Sequence, residues 1–322
     1  MKYSVILSNV GSCCDRYAPN GYGRKYSNSE LFERLSHVEG ISGVELIGQS
    51  AIHKGNIAET KENLERYGLE AVAIIPDHFS DKKWKHGAFT GFDPDIRKQA
   101  VEETMKMADC ARQIGCKTIS IWNGQDGFDY PFQVDYLQTA QWLAEGIREC
   151  AEQFPDINFS IEYKPKEPRN HSFVSNVYST ILLTQEIGMP NVGVTIDTGH
   201  AAVAYENLAN AVAAAARMGK LFHIHYNDNY GFWDDDMIAG SVHTLEYIEF
   251  VWWLKKCNYQ GWLSVDQYPY REDGVDAVNQ SVQWMHAFEK AAERIAEEEV
   301  MEIFRSHDAV RATAMLRCLI FG

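Results

Sequence analysis

The residues best able to do chemistry close four consecutive apolar runs in the second half of the chain. Ile157–Glu162 ends in Glu162, with Lys164 two residues on, and Val192–Asp197 ends in Asp197, followed by His200. Leu221–Tyr226 carries His223 and His225, then Asn227, Asp228 and the run Asp234-Asp235-Asp236, and Trp262–Asp266 ends in Asp266. Three carboxylates and one imidazole (Glu162, Asp197, His225, Asp266) suit Mg2+, Mn2+ or Co2+ better than a thiolate-preferring ion. One carboxylate at a strand end is ordinarily a solvated cap or an ion-pair partner. Four ligand-type groups at matching positions are hard to explain structurally, since the clustered carboxylates among them repel one another unless a cation holds them. His200, Asp234 and Asp236 offer a second set. Asp-x-Asp after a strand is most simply an acidic turn. Beside Asp197-x-x-His200 it can instead hold a second ion, with Asp197 bridging the two.

These groups need a scaffold that brings strand ends to one point. Eight short runs rich in β-branched and aliphatic residues recur, at Tyr3–Leu7, Gly43–Ile47, Glu70–Ile75, Thr118–Trp122, Ile157–Glu162, Val192–Asp197, Leu221–Tyr226 and Trp262–Asp266. Their spacing matches the ~30 or more residues of a βαβ unit. The runs are continuous rather than alternating, as parallel strands covered on both sides require. Helical patterns fill the gaps. One opens near Asn28-Ser29-Glu30, one runs from Asp95 to a stop at Gly115, and one runs from Leu208 to a C-terminal cap at Gly219. Regular βα alternation predicts an α/β fold, a (β/α)8 TIM barrel, with catalytic groups at the C-terminal strand ends. No glycine-rich phosphate fingerprint follows the first strand, which disfavours a doubly wound sheet. The expected organisation is one domain over 1–322, with the barrel to about 290 and a helical C-terminal extension over about 291–322.

Composition narrows the function classes. The 322 residues are 45% hydrophobic and 23% charged, enough to bury a full core, and the formal charge is −15. That charge argues against nucleic-acid binding, which needs a basic surface. The apolar runs are of strand length, so none is expected to span a membrane. The N-terminal run breaks at Asn9 and Gly11 and reads as a first strand rather than a secretory segment. Seven scattered cysteines without a CxxC pair indicate neither a disulfide framework nor a zinc ribbon, and point to a reduced cytoplasm.

The motifs IEYKP (Ile161–Pro165), DTGHA (Asp197–Ala201), HYNDN (His225–Asn229) with Asp234–Asp236, and SVDQYP (Ser264–Pro269) resemble those of the xylose isomerase-like TIM-barrel superfamily. Within it the chain is most similar to the L-rhamnose isomerase type. The resemblance implies a metal-dependent sugar isomerase that interconverts an unphosphorylated aldose and ketose, with one or two divalent ions per subunit. It implies that Glu162, Asp197, His225 and Asp266 hold a structural or substrate-binding ion. His200, Asp234 and Asp236 would hold a catalytic one, and Lys164 would bind the sugar oxygen at the reacting end. Glu162, Lys164, Asp266 and His200 are then the expected catalytic groups. Trp122, His78 and Arg16, with Asp15, stand at early strand ends where the family places substrate contacts. Trp122, Phe128, Phe232 and Trp233 either exclude water from the sugar or simply pack. The C-terminal extension favours a homodimer or homotetramer.

Three other readings stand beside this one. A ketose 3-epimerase of the same superfamily would use one metal and two glutamates, whereas the eighth strand offers Asp266. An apurinic endonuclease would need further histidines, whereas Asp236 stands where one is wanted. A non-catalytic sugar-binding protein would leave Lys164 and the base candidates without a task.

Overall fold

The eight apolar runs form eight parallel strands that close on themselves in chain order, in a computed structural model describing residues 1–322. They are β1 (Lys2–Ile6), β2 (Ile41–Ile47), β3 (Glu70–Ile75), β4 (Thr118–Trp122), β5 (Asn158–Glu162), β6 (Val192–Asp197), β7 (Leu221–Tyr226) and β8 (Trp262–Val265). Each pairs with its chain neighbours, and β1 pairs with β8 to complete the (β/α)8 barrel. Observed ends differ from the expected ones by a residue or two. Leu7 leaves β1 because Leu7–Val10 closes into a 3-10 turn, and Asp266 lies just beyond the last paired residue of β8.

Local signals explain the helices. Ser27 and Glu30 form a reciprocal capping box that starts Asn28–Leu35. Asp93 caps the long helix Pro94–Ile114, with proline at its first position, where the missing N–H has no partner to lose. That helix ends at Gly115 in the left-handed region (φ 78°). Between the barrel strands and the helices lies the apolar core.

Inside the barrel the layer beneath the mouth is polar. Ser120, Ser160 and Thr195 are all buried, and their hydroxyls contact one another at 3.4 and 2.6 Å. Glu45 of β2 and His223 of β7 are buried in the same interior. The last barrel helix, Gly274–Glu293, is followed by helices Glu297–Ser306 and Ala309–Phe321. Val300 and Ile303 bury beside Trp252 and Trp253 of helix Thr244–Lys256, while Val310 and Phe321 stay open to solvent. No helix is long and apolar enough to cross a membrane. None of the seven cysteines is paired.

Candidate metal centre

Parallel strands in register place equivalent positions at one height, and the barrel applies this to β5 through β8. Glu162 is level with Trp122 and Thr195, Asp197 is level with His225, and Asp266 follows Val265, the partner of Tyr226. Ligand atoms of Glu162, Asp197, His225 and Asp266 all fall within 4.8 Å of one another. Those of Asp197, His200 and Asp234 form a second group under the same limit, and Asp197 belongs to both. The structure therefore gathers every residue of the two expected sets except Asp236 into these groups. Asp236 lines the same cavity but stands outside the second group.

Nitrogens and oxygens converge here without a hydrogen-bond pattern that accounts for all of them. His225 Nδ1 lies 3.3 Å from Glu162 Oε2 and 3.2 Å from Asp266 Oδ2. His200 Nδ1 lies 3.2 Å from Glu162 Oε1, and its Nε2 is 3.0 Å from Asp234 Oδ2. Both Nδ1 atoms and Asp234 Oδ1 are buried and lack a well-formed hydrogen bond. Nitrogen lone pairs facing carboxylate oxygens in a dry pocket call for a cation between them. The donors, oxygens with imidazole nitrogens, fit a divalent ion of the Mn2+, Co2+ or Mg2+ kind.

Without that ion, protons carry the balance. Burial works to raise Glu162, but His225 and His200 outweigh it and hold the carboxyl well below the usual range. Asp197 goes the other way, raised by burial and by Asp234, Glu162 and Asp266 against the pull of His200. Burial opposes charge on His200 and His225, yet the facing carboxylates lift both well above an ordinary imidazole. Lys164 is buried, 2.7 Å from Asp234 Oδ2 and also paired with Glu167. These carboxylates overcome its desolvation and keep it charged.

Backbone and neighbours fix the shared carboxylate. The N–H of His200 donates to Asp197 Oδ1 at 2.8 Å, and the Asn227 amide donates to Oδ2 at 2.8 Å. A cavity of about 350 Å3 opens above, with Ile6, Ile47 and Ile75 on one side and Trp122, Trp233 and Tyr268 on others. The Lys164 ammonium lies 5.1 Å from the Trp122 ring, and both residues line the cavity.

Three expected substrate contacts do not reach the cavity. His78 is buried edge-on between Trp84 and Phe89, with Nε2 3.4 Å from the Thr104 hydroxyl. It belongs to the packing against helix Pro94–Ile114 and does not line the cavity. Arg16 is exposed and lies over the Tyr17 ring. Asp15 accepts from the N–H groups of Tyr17 and Ala18 and organises that loop. Of the other aromatics, Phe128 packs on Tyr136 and Phe173 in a short ribbon formed by Gly127–Phe128 and His171–Ser172, and Phe232 is exposed.

Glu45 is the residue that sequence reasoning missed. It lies in the middle of β2, fully buried, with Oε1 2.6 Å from His223 Nε2 and Oε2 3.1 Å from His225 Nε2. The available signal was a lone charge inside an apolar strand covered on both faces, which must find a partner.

Comparison with known proteins follows the same lines. A family model described as xylose isomerase-like TIM barrel matches residues 32–288. Xylose isomerase of Thermus thermophilus is 27% identical over 253 residues, covering 74% of this chain and 65% of the relative. The chain thus spans somewhat less than two thirds of that relative's length. Among solved structures, Escherichia coli 3-keto-D-glucoside 4-epimerase superposes with a TM-score of 0.68 at 18% identity, covering 89% of this chain and 99% of its own. D-psicose 3-epimerase of Clostridium cellulolyticum H10 superposes with a TM-score of 0.69 at 15% identity, covering 90% and 99%. At such identities the likeness is one of fold.

Proposed function

The chain belongs to the xylose isomerase-like TIM-barrel family, and we propose that it is a divalent-metal-dependent aldose–ketose isomerase acting on an unphosphorylated sugar. The observation that carries this reading is the second donor group, Asp197, His200 and Asp234, which shares Asp197 with the first. A single-metal reaction at C3 gives that group no task. In this reading Glu162, Asp197, His225 and Asp266 hold one ion, and His200 and Asp234 share Asp197 in holding the other. Divalent ions there supply Lewis acidity at the O1 and O2 oxygens of an open-chain sugar.

The protein's own groups do the rest. Lys164, kept charged by Asp234 and Glu167, donates to the sugar oxygen at the reacting end and stabilises its developing negative charge. Glu162 or Asp266 is placed to take a proton if hydrogen moves between C1 and C2 through an enediol. A direct hydride shift instead needs water kept from the reacting carbons, a task for which Trp122, Trp233 and the three isoleucines of the cavity wall are the candidates. No glycine-rich cradle follows β7 or β8, consistent with a substrate lacking phosphate.

Assembly is part of the same proposal, with a second copy of this chain as the partner. Helices Thr244–Lys256, Glu297–Ser306 and Ala309–Phe321 line an apolar groove of about 300 Å3, beside the exposed Val310 and Phe321. Self-association would cover this apolar surface, and light scattering on the purified chain reads the expected dimer or tetramer.

The decisive experiment incubates the Mn2+-loaded protein with pentoses, 6-deoxyhexoses and branched sugars and reads the products by NMR. Interconversion of a C1 aldehyde with a C2 ketone supports the isomerase. Inversion at C3 would replace it with the 3-epimerase that Glu162 and Asp266 could also serve.

A further inference from the structure

The metal-centre residues lie on β5 to β8 and the segments that follow them, yet one of them is held by a side chain from across the barrel interior. His225 uses both ring nitrogens. Nδ1 faces Glu162 and Asp266 at 3.3 and 3.2 Å, and Nε2 faces Glu45 Oε2 at 3.1 Å. Glu45 belongs to β2, separated from β7 by β1 and β8 in the closed sheet. Its second oxygen is also engaged, 2.6 Å from His223 Nε2. His223 and His225 stand two apart on one strand, so both rings point inward, and they meet edge to face at 5.0 Å. Glu45 and His225 are wholly buried, and His223 nearly so.

Resting on the metal-dependent reading above, we propose that Glu45 is a positioning residue that sets His225 for metal binding, with His223 fixing Glu45 in turn. A carboxylate can only accept, so the Nε2 atom facing Glu45 carries the proton. In the neutral ring Nδ1 is then left with its lone pair, aimed at the shared focus of Glu162 and Asp266. Accepting from Nε2 also makes Nδ1 a stronger donor to a cation. His223 matters because a carboxylate held at one oxygen swings about that contact. Held at both, it has one orientation. A merely structural ion pair would need only one histidine and would not require the second ring to turn its other nitrogen toward the acidic cluster.

The test uses metal-stripped full-length protein and variants Glu45→Gln, Glu45→Asp and His223→Gln. Mn2+ affinity is read from the EPR signal of the free ion, and the His225 environment from the visible absorption of bound Co2+. Glu45→Gln should weaken Mn2+ binding roughly 10- to 100-fold and alter the Co2+ bands, the scale found for partners of metal-bound histidines. Glu45→Asp, which keeps the carboxylate, should recover part of that loss, and His223→Gln should fall between Glu45→Gln and the unaltered chain. Affinity within twofold of the unaltered chain in Glu45→Gln, with unchanged Co2+ bands, overturns the assignment. Equal losses in Glu45→Asp and Glu45→Gln do so as well. If Glu45→Gln does not fold, His223→Gln decides by the same twofold criterion. Failure of the unaltered chain to bind Mn2+ overturns the metal reading itself, an outcome distinct from binding that the variants leave untouched.

Discussion

Asn227 donates from its side-chain amide to Asp197 Oδ2 at 2.8 Å, and it can do so only because residue 199 is glycine. A Cβ at Gly199 would lie 1.9 Å from Asn227 Oδ1, closer than any contact the pocket tolerates. Gly199→Ala should therefore push Asn227 away and release one oxygen of the carboxylate common to both donor groups. The expected result is a loss of about 1–3 kcal/mol in stability from overpacking, accompanied by weaker metal binding. Thermal unfolding with and without Mn2+ reads both. A stability and affinity equal to the unaltered protein would show that the Asn227 contact does not hold Asp197.

Removal of metal should abolish turnover, and Mn2+ or Co2+ should restore it. The same chelation should lower the unfolding temperature, because an ion held by Glu162, Asp197, His225 and Asp266 would bind only their folded arrangement. Calorimetry at increasing Mn2+ concentration measures the second effect without a known sugar. Full activity after exhaustive chelation would sink the metal-dependent reaction.

Much of this arrangement is legible in the sequence. Parallel strands buried on both faces read as short continuous apolar runs, so Glu162, Asp197 and His225, ionisable groups at or next to the ends of such runs, stand out as groups for the barrel mouth. His200 follows because the short helix Thr198–Val203 starts directly after β6, and Asp234 because the acidic run lies in the segment that leaves β7. Glu45 stayed hidden because it sits in the middle of β2, and its partners are nearly two hundred residues away. His78 and Arg16 were misplaced for the opposite reason. Proximity to a strand end does not fix where a side chain goes once the chain has left the strand: His78 packs between Trp84 and Phe89, and Arg16 lies exposed over Tyr17.

Lys164→Met tests the buried cation. Asp234 would lose a buried charged partner at 2.7 Å, a change that typically costs about 3 kcal/mol or more. Turnover should fall by roughly a hundredfold or more if the ammonium stabilises charge on the sugar oxygen, while the metal-loaded form regains part of the lost stability. Steady-state kinetics beside thermal unfolding separates the two. Loss of sugar binding in a protein that turned nothing over would favour a sensor instead.

Asp236→Asn asks whether this residue serves the second donor group from outside it. Asp236 has a positive φ (46°), which asparagine also accepts, and its backbone carbonyl receives the Tyr268 N–H at 2.9 Å. The substitution therefore removes charge with little backbone strain. Burial and the neighbouring Asp234 already push this carboxyl well above its ordinary range, so folding should be unharmed or improved. Turnover should fall, and an unchanged rate would confine the second site to Asp197, His200 and Asp234.

His78 gives a pH dependence independent of metal. Burial between Trp84 and Phe89 pushes its imidazole down to about 4, against ~6.5 when unfolded. Between these values the unfolded chain holds a proton that the folded chain refuses. Stability from this group is thus fully present above about 6.5, falls as the pH drops toward 4, and levels off below. The span corresponds to about 3 kcal/mol, an order-of-magnitude figure from the shift between folded and unfolded states. Urea unfolding of metal-free protein at a series of pH values should show this slope superimposed on that of the acidic cluster. His78→Gln should remove the His78 component and leave the remainder, and identical pH slopes in the two proteins would mean that His78 titrates in its pocket as it does in the unfolded chain.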